Sequence, residues 1–253
     1  MPPSGTGLRT LGLLRDVLQL CPLLETLDIN DIDYIDAEDV QYPLPSSHSC
    51  VPRIVNYHGP ANLASKVLAA CPFKNLSLHT GKSKENTYGQ CEIQRLLRPL
   101  AHHSPAHIGL SVVYPDTKLC DTLSMIFSDI TSLHICYNDP EPLTAMNDGS
   151  QYRQIVVIDD RHSFMWQIRP RTTMMGILDR LVTRESSLPQ GLIKLRFTQA
   201  DPYSSRQITR KEQHEYLDRL LYSYKDLMFF QLGDNPPLIR SGGDRPWYEA
   251  GQQ

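Results

Sequence analysis

A short pattern, apolar-x-x-apolar-x-apolar, recurs along almost the whole chain. The first copy is Leu24, Leu27 and Ile29, later copies begin at residues 73, 105, 130, 192 and 227, and a weaker copy starts at Val51 with Ile54. Successive starts therefore lie 27, 22, 32, 25, 62 and 35 residues apart. All but one of these intervals fit a repeat of about 20 to 50 residues, which is the range typical of solenoid proteins.

An amphipathic stretch with helical spacing precedes each clear copy. These stretches lie at residues 11–21, 63–70, 93–100, 119–126, 177–182 and 216–221, with apolar residues three or four positions apart. Thr209 and Glu212 form a capping-box pattern before the last stretch, and Thr117 and Thr172 are predicted N-caps of two others. The repeating unit is thus a short helix, a tight bend and a short strand.

One such unit cannot bury both its helix stripe and its strand face, whereas stacked copies can. The pattern therefore predicts an α/β, leucine-rich-repeat-like solenoid with irregular repeats: a curved, mainly parallel strand ladder with outer helices. Because side chains alternate along a strand, the fourth and sixth pattern positions should face the core, and the third, fifth and seventh should face the concave side. The alternative is a single α/β sheet with crossover helices and no true repeat.

The repeats predict one domain over residues 1–253. The interval of 62 residues is too long for one helix, so we predict an insertion, a loop or hairpin, at 138–171. Within it, Gln154–Ile158 and Ser163–Ile168 are predicted to be strands joined by a polar turn. One degenerate repeat with a long loop is the simpler alternative. Residues 234–253 are expected to form a C-terminal tail.

Charge gives no reason to expect nucleic acid or an anionic membrane as a partner, because 25 basic residues face 28 acidic ones. The charge is uneven: successive segments 1–50, 51–100, 101–150, 151–200 and 201–253 carry −6, +5, −5, +4 and −1. An acidic cluster follows the first strand, and because it lacks the spacing of a calcium loop we expect a solvated loop. Its members are Asp28, Asp31, Asp33, Asp36, Glu38 and Asp39.

The chain shows no secretion or membrane signal. The stretch from Leu8 to Leu24 is interrupted by Arg9, Arg15 and Asp16, so it is predicted to be an amphipathic helix rather than a signal peptide. No apolar run approaches the roughly 18 residues that a membrane span needs. We therefore expect an intracellular protein, cytoplasmic or nuclear, with no membrane partner.

The six cysteines are predicted to be reduced, structural thiols, because no pair has the C-x-x-C spacing and the chain has no secretion signal. Cys21 and Cys71 each precede a proline at the end of an apolar helical pattern, where cysteine serves as a small buried hydrophobe. His102, His103 and His107 lie close together in sequence. Two of them follow a helix end, where cationic side chains are favourable, so capping explains them better than metal binding.

Motifs that carry catalysis or cofactor binding are absent from the sequence. It contains no Walker A, G-x-G-x-x-G, G-x-S-x-G or H-E-x-x-H motif and no zinc spacing. We therefore expect no cofactor, no metal and no catalytic residue. An enzyme of an ordinary α/β fold remains the alternative.

The repeat instead predicts a protein-binding face made of outward strand positions. Phe229 and the neighbouring Tyr224 are its expected aromatic anchors, and His79 is a further candidate. The basic end of this face should lie at Lys194 and Arg196. The predicted contact residues are Thr26, Asp28, Asn75, Ser77, His134, Lys194, Arg196, Phe229 and Gln231.

Several short segments resemble one family. They are Cys-Pro-x-Leu-x-x-Leu-x-Ile at 21–29, loosely repeated at 71–78, Tyr-His-Gly-Pro at 57–60, Asp-Asn-Pro-Pro at 234–237 and Arg-Pro-Trp-Tyr at 245–248. Together they resemble the leucine-rich-repeat-like C-terminal region of F-box proteins from mushroom-forming fungi. The resemblance implies that the repeats hold the substrate of a ubiquitin ligase while an F-box binds the ligase adaptor.

The start of the chain departs from that family. It begins at Met1 and enters a repeat helix at once, so adaptor binding is expected only of a longer form that carries an F-box. A free-standing repeat scaffold unrelated to ubiquitin ligases is an alternative. A repeat unit left uncapped at the N-terminal end would expose apolar surface, because terminal repeats need a polar outer face.

Overall fold

Nine strands of the described residues form one sheet, and their order in space is their order along the chain. The computed structural model describes residues 14, 16–18, 20–29, 53–68, 71–79, 96–112, 118–137, 174–199, 208–242 and 245–251. Strands β1 to β7 are all parallel, whereas β7, β8 and β9 pair antiparallel. The strands are β1 (Thr26–Asp28), β2 (Asn56–Pro60), β3 (Asn75–His79), β4 (His107–Val112), β5 (Ser132–Tyr137), β6 (Lys194–Gln199), β7 (Phe229–Leu232), β8 (Leu238–Ile239) and β9 (Tyr248–Glu249).

Short helices connect the strands, as the apolar spacing predicts. They are α1 (Ala61–Val67), α2 (Leu119–Ile126), α3 (Met174–Thr183) and α4 (Arg210–Leu220), with a 3-10 turn at Arg98–Leu100; residues 16–18 are also helical. The protein is therefore α/β, with a mostly parallel sheet.

The predicted N-cap is confirmed for α4 and is wrong for α2. Thr209 caps α4 and exchanges both capping-box hydrogen bonds with Glu212. The expected N-cap at Thr117 is wrong: the N-cap of α2 is Lys118, which makes no side-chain capping bond. Thr172 lies outside the described residues.

The strand register places equivalent pattern positions side by side. The fourth position forms one buried row across seven strands, and the sixth forms a second row beside it that is buried except at Ile29, which is half-buried. Both rows pack in one core with apolar helix residues such as Leu123, Leu178 and Leu217, which confirms that these positions face the core. The first row is Leu27, Tyr57, Leu76, Ile108, Leu133, Leu195 and Phe230.

The weak copy of the pattern begins at Ile54 and not at Val51. Ile54 is buried, and Tyr57 and Gly59 occupy the positions that leucines hold elsewhere. The ring of Tyr57 fits because Gly59 has no side chain: a Cβ there would lie 2.9 Å from the Tyr57 hydroxyl. That hydroxyl donates a hydrogen bond to the Pro60 carbonyl at 3.0 Å, which satisfies the polar end of a buried ring.

The expected C-terminal tail adds two strands to the sheet. β8 pairs with β7, and β9 pairs with β8. Arg240 is buried, donates from Nε to the Leu227 carbonyl at 2.8 Å and lies 5.3 Å from the Trp247 ring centre. The antiparallel strands therefore extend the sheet beyond β7. The hairpin predicted within residues 138–171 lies outside the described residues.

The N-terminal end of the sheet carries exposed apolar side chains. Leu20 and Leu23, just before β1, are 81 % and 76 % exposed, and Val17 is also exposed.

Four cysteines lie in the described residues, and all are free thiols. Cys71 is buried, as expected. The predicted burial of Cys21 is wrong, because Cys21 lies at the exposed start of the turn that leads into β1. Cys50 and Cys91 lie outside the described residues.

Candidate protein-binding face

The opposite face of the sheet carries the third and fifth pattern positions of seven parallel strands. We call these fourteen positions the ladder face. Its first row is Thr26, Asn56, Asn75, His107, Ser132, Lys194 and Phe229. Its second row is Asp28, His58, Ser77, Gly109, His134, Arg196 and Gln231. Each of these residues is half-buried or exposed.

All nine predicted contact residues lie on the ladder face. The other five positions of the ladder face were not predicted, for three separate reasons. Asn56 and His58 were not predicted because the register of β2 was misplaced, and His107 was considered only as a member of a histidine cluster. Gly109 and Ser132 are small and carry no charge or aromatic ring, but their spacing in the pattern would have found them.

Two further predicted positions behave differently. Tyr224 is not a contact residue: it is buried, and its hydroxyl accepts a hydrogen bond from the Leu188 backbone N–H at 2.8 Å. Burial raises the pKa of this hydroxyl. His79 is half-buried at the end of β3, where a ring nitrogen lies 3.3 Å from the Ile29 carbonyl oxygen and the ring stands edge-on to His58.

A hydrogen-bonded ladder fixes the first row at β1 to β3. Asn75 donates from Nδ2 to Asn56 Oδ1 at 2.5 Å, and Asn56 donates from Nδ2 to Thr26 Oγ1 at 3.0 Å. The bonds form because parallel strands in register hold same-row side chains about 4.8 Å apart. The ladder therefore fixes the orientation of both amides.

An open groove of about 300 Å³ runs over β1 to β5. It is lined by the first few residues of those strands, and its second row has a gap at Gly109, between Ser77 and His134. A Cβ at Gly109 would lie 3.2 Å from Ser77 Oγ, so a side chain there would crowd the gap. The groove is a shallow depression across strands.

Opposite charges lie near the two ends of the ladder face. Asp28 on β1 keeps 52 % of its side chain exposed and lies 3.6 Å from His58 Nδ1. Lys194 and Arg196 on β6 are exposed, and neither forms an ion pair with another described residue. The other five members of the acidic cluster lie outside the described residues.

His134 lies on β5, directly beside Arg196 of β6 in the second row. Its Nε2 lies 2.7 Å from Thr198 Oγ1. Burial, and secondarily the positive charge of Arg196, lower the pKa of His134 to about 4. His134 is therefore neutral at neutral pH, and the positive end of the face comes from Lys194 and Arg196.

We expect the His134 ring to titrate near pH 4 in the folded protein, which NMR of its ring protons would measure. Since the pKa is lowered on folding, the neutral ring contributes stability that is fully present above about pH 6.5 and is lost as the pH falls toward 4. Arg196→Gln should raise this pKa by removing the nearby charge. A midpoint near that of an exposed histidine in both proteins would contradict the burial of the ring.

The described residues show no other kind of site. They contain no group of three His, Cys, Asp or Glu side chains placed to hold a metal ion, and His107 lies on β4, whereas the His103 ring packs on Phe73. None of the helices in these ranges combines the length and hydrophobicity needed to cross a membrane.

Comparisons of the chain with protein-family models, with curated proteins and with solved structures found no match. Similarity therefore assigns no family, and function has to be inferred from the ladder face itself.

Proposed function

We propose that this chain is a protein–protein interaction module that binds its partner on the ladder face. One observation carries the proposal: seven parallel strands present two rows of half-buried or exposed polar, charged and aromatic side chains. Asn56 and Asn75 are held in place by hydrogen bonds within the row. Preorganised side chains lower the entropic cost of binding.

The proposal includes a leucine-rich-repeat-like solenoid, curved, with the ladder face on its concave side. Two features support it: the strands follow one another in chain order, and equivalent pattern positions stand in register from β1 to β7. Both are expected of stacked repeat units, each of which contacts only its neighbours.

A ligand site beyond the carboxyl ends of the strands would favour an enzyme instead. In open parallel α/β sheets, small-molecule sites lie beyond the carboxyl ends of the strands. The groove of about 300 Å³ is lined by the beginnings of β1 to β5. Its open form and its place over the strands favour a binding module.

The partner proposed from the family resemblance is the substrate of an F-box-type ubiquitin ligase, with the ligase adaptor bound only by a longer form. The intact mass of the endogenous protein tests this part. Extra N-terminal sequence with an F-box, and a mass several kilodaltons above 28.8 kDa, would support the ligase receptor. A mass near 28.8 kDa would favour a free-standing interaction module.

The double variant Lys194→Glu with Arg196→Glu should lose binding of an acidic partner by tenfold or more, since like charges brought together at an interface cost several kcal/mol. The partner is first isolated from extracts of the source organism with the wild-type chain, and its affinity is then measured by calorimetry. The melting temperature should change by less than about 2 °C, because both side chains are exposed.

Lys211→Glu with Lys225→Glu is the matched control, because it makes the same charge change at exposed positions outside the ladder face. This control should bind normally. Unaltered affinity of the Lys194 and Arg196 variant would put the binding surface elsewhere.

A further inference from the structure

We propose that the partner segment is an extended peptide that crosses the strands, with a basic residue over Asp28 and an acidic residue about seven positions away, over Arg196. This inference rests on the proposed function and specifies what the ladder face recognises. It follows from the placement of charge, the size of the groove and the gap at Gly109.

The charge placement sets the spacing. Asp28 and Arg196 lie in the same row, and the register runs from β1 through β2, β3, β4 and β5 to β6. Five strand steps of about 4.8 Å separate the two residues by about 24 Å. An extended chain covers that distance in about seven residues at 3.3 to 3.6 Å each.

The basic end is a two-residue site. Lys194 and Arg196 are two positions apart on one strand, so they share a face about 6.6 Å apart. Both side chains are exposed and can reach one carboxylate from two sides. A single glutamate or aspartate of the partner satisfies this end.

The groove favours an extended segment over a helix. A helix with its side chains is about 10 to 12 Å wide, whereas the groove of about 300 Å³ is spread over five strands. That space accepts a single line of side chains. The gap at Gly109, between Ser77 and His134, takes the side chain from the middle of the segment.

Selection from a phage-displayed library of random 20-residue peptides on the whole chain tests the inference. We expect enriched peptides in which a lysine or arginine and an acidic residue stand six to eight positions apart, in either chain order. Lys194→Glu with Arg196→Glu, and separately Asp28→Lys, should each weaken them at least tenfold. Gly109→Leu, which fills the gap without changing charge, should weaken them as well, while Lys211→Glu with Lys225→Glu should not.

A charge swap makes the test specific. A selected peptide whose acidic residue is replaced by arginine should bind the Lys194→Glu, Arg196→Glu protein better than wild type. Enriched peptides that depend on these residues but show no fixed spacing, or a helical spacing of about sixteen residues, overturn the inference and leave the proposed function standing. Peptides indifferent to every ladder-face variant, or no enriched peptide, also overturn it. The proposed function falls only if the isolated partner is indifferent to the same variants.

Discussion

Replacing Leu195 with alanine is expected to lower the free energy of unfolding by about 2 to 5 kcal/mol, the range found when a buried leucine is truncated. Leu195 is 1 % exposed and lies in register between Leu133 on β5 and Phe230 on β7. The missing side chain leaves a cavity, because the neighbouring side chains are held in place by their own strands and can fill the space only in part. Urea denaturation, followed by circular dichroism, measures the loss.

Lys194→Ala is the matched control for Leu195, because the adjacent side chain points to the exposed face of the same strand. It should change the free energy of unfolding by less than about 0.5 kcal/mol. A loss below about 0.5 kcal/mol for Leu195→Ala, where a core position should cost several times more, would contradict the assignment of β6 and its alternation.

Replacing Gln213 with methionine should cost about 2 kcal/mol or more, although the side chains are similar in size, because two backbone groups lose their partner and each buried group left without its hydrogen bond costs about 1 to 3 kcal/mol. Gln213 is 1 % exposed. Its Oε1 accepts from the Leu232 N–H at 2.7 Å, and its Nε2 donates to the Pro236 carbonyl at 2.8 Å. One side chain thus joins α4 to the end of β7 and to the turn before β8.

Chemical denaturation also measures this effect, with His214→Ala as the control at the exposed neighbouring position of α4. The control should stay within about 0.5 kcal/mol of wild type. If Gln213→Met were equally neutral, the two hydrogen bonds would contribute nothing net to the stability of the fold.

Apolar spacing was enough to predict six of the seven parallel strands, because leucine, isoleucine or phenylalanine occupies the same two positions in each of them. Leu27, Leu76 and Leu195 illustrate the rule. The spacing failed at β2, where Tyr57 and Gly59 fill the same space as two aliphatic side chains. No pattern of single residues reveals such a pair, since each is acceptable only because of the other.

Polar residues inside the fold were harder to predict. Gln213, Tyr224 and Arg240 are buried because each bonds to backbone groups far away in sequence. A sequence shows the polarity of such residues but not their partners. Tyr224 was therefore mistaken for a surface anchor, and the two strands that follow β7 were not predicted.

The candidate face could be predicted wherever the apolar pattern matched the register of the strands. The alternation placed all nine predicted residues on one side of the sheet, because parallel strands in register carry a row straight across. The groove, the amide ladder and the neutral His134 could not be predicted, since each depends on distances between strands. Gly109 contributes to the groove because it has no side chain.

Hydroxyl-radical footprinting of the chain, alone and bound to the isolated partner, tests most directly whether the ladder face is the binding surface. His134 and Phe229 report on that face, while the exposed side chains of Met125 and Tyr222 report on the helices and turns outside it. We predict that the partner lowers the oxidation of His134 and Phe229 and leaves Met125 and Tyr222 unchanged. Protection of Met125 or Tyr222, with His134 and Phe229 still oxidised, would contradict the proposal that this protein recognises its partner through the parallel sheet.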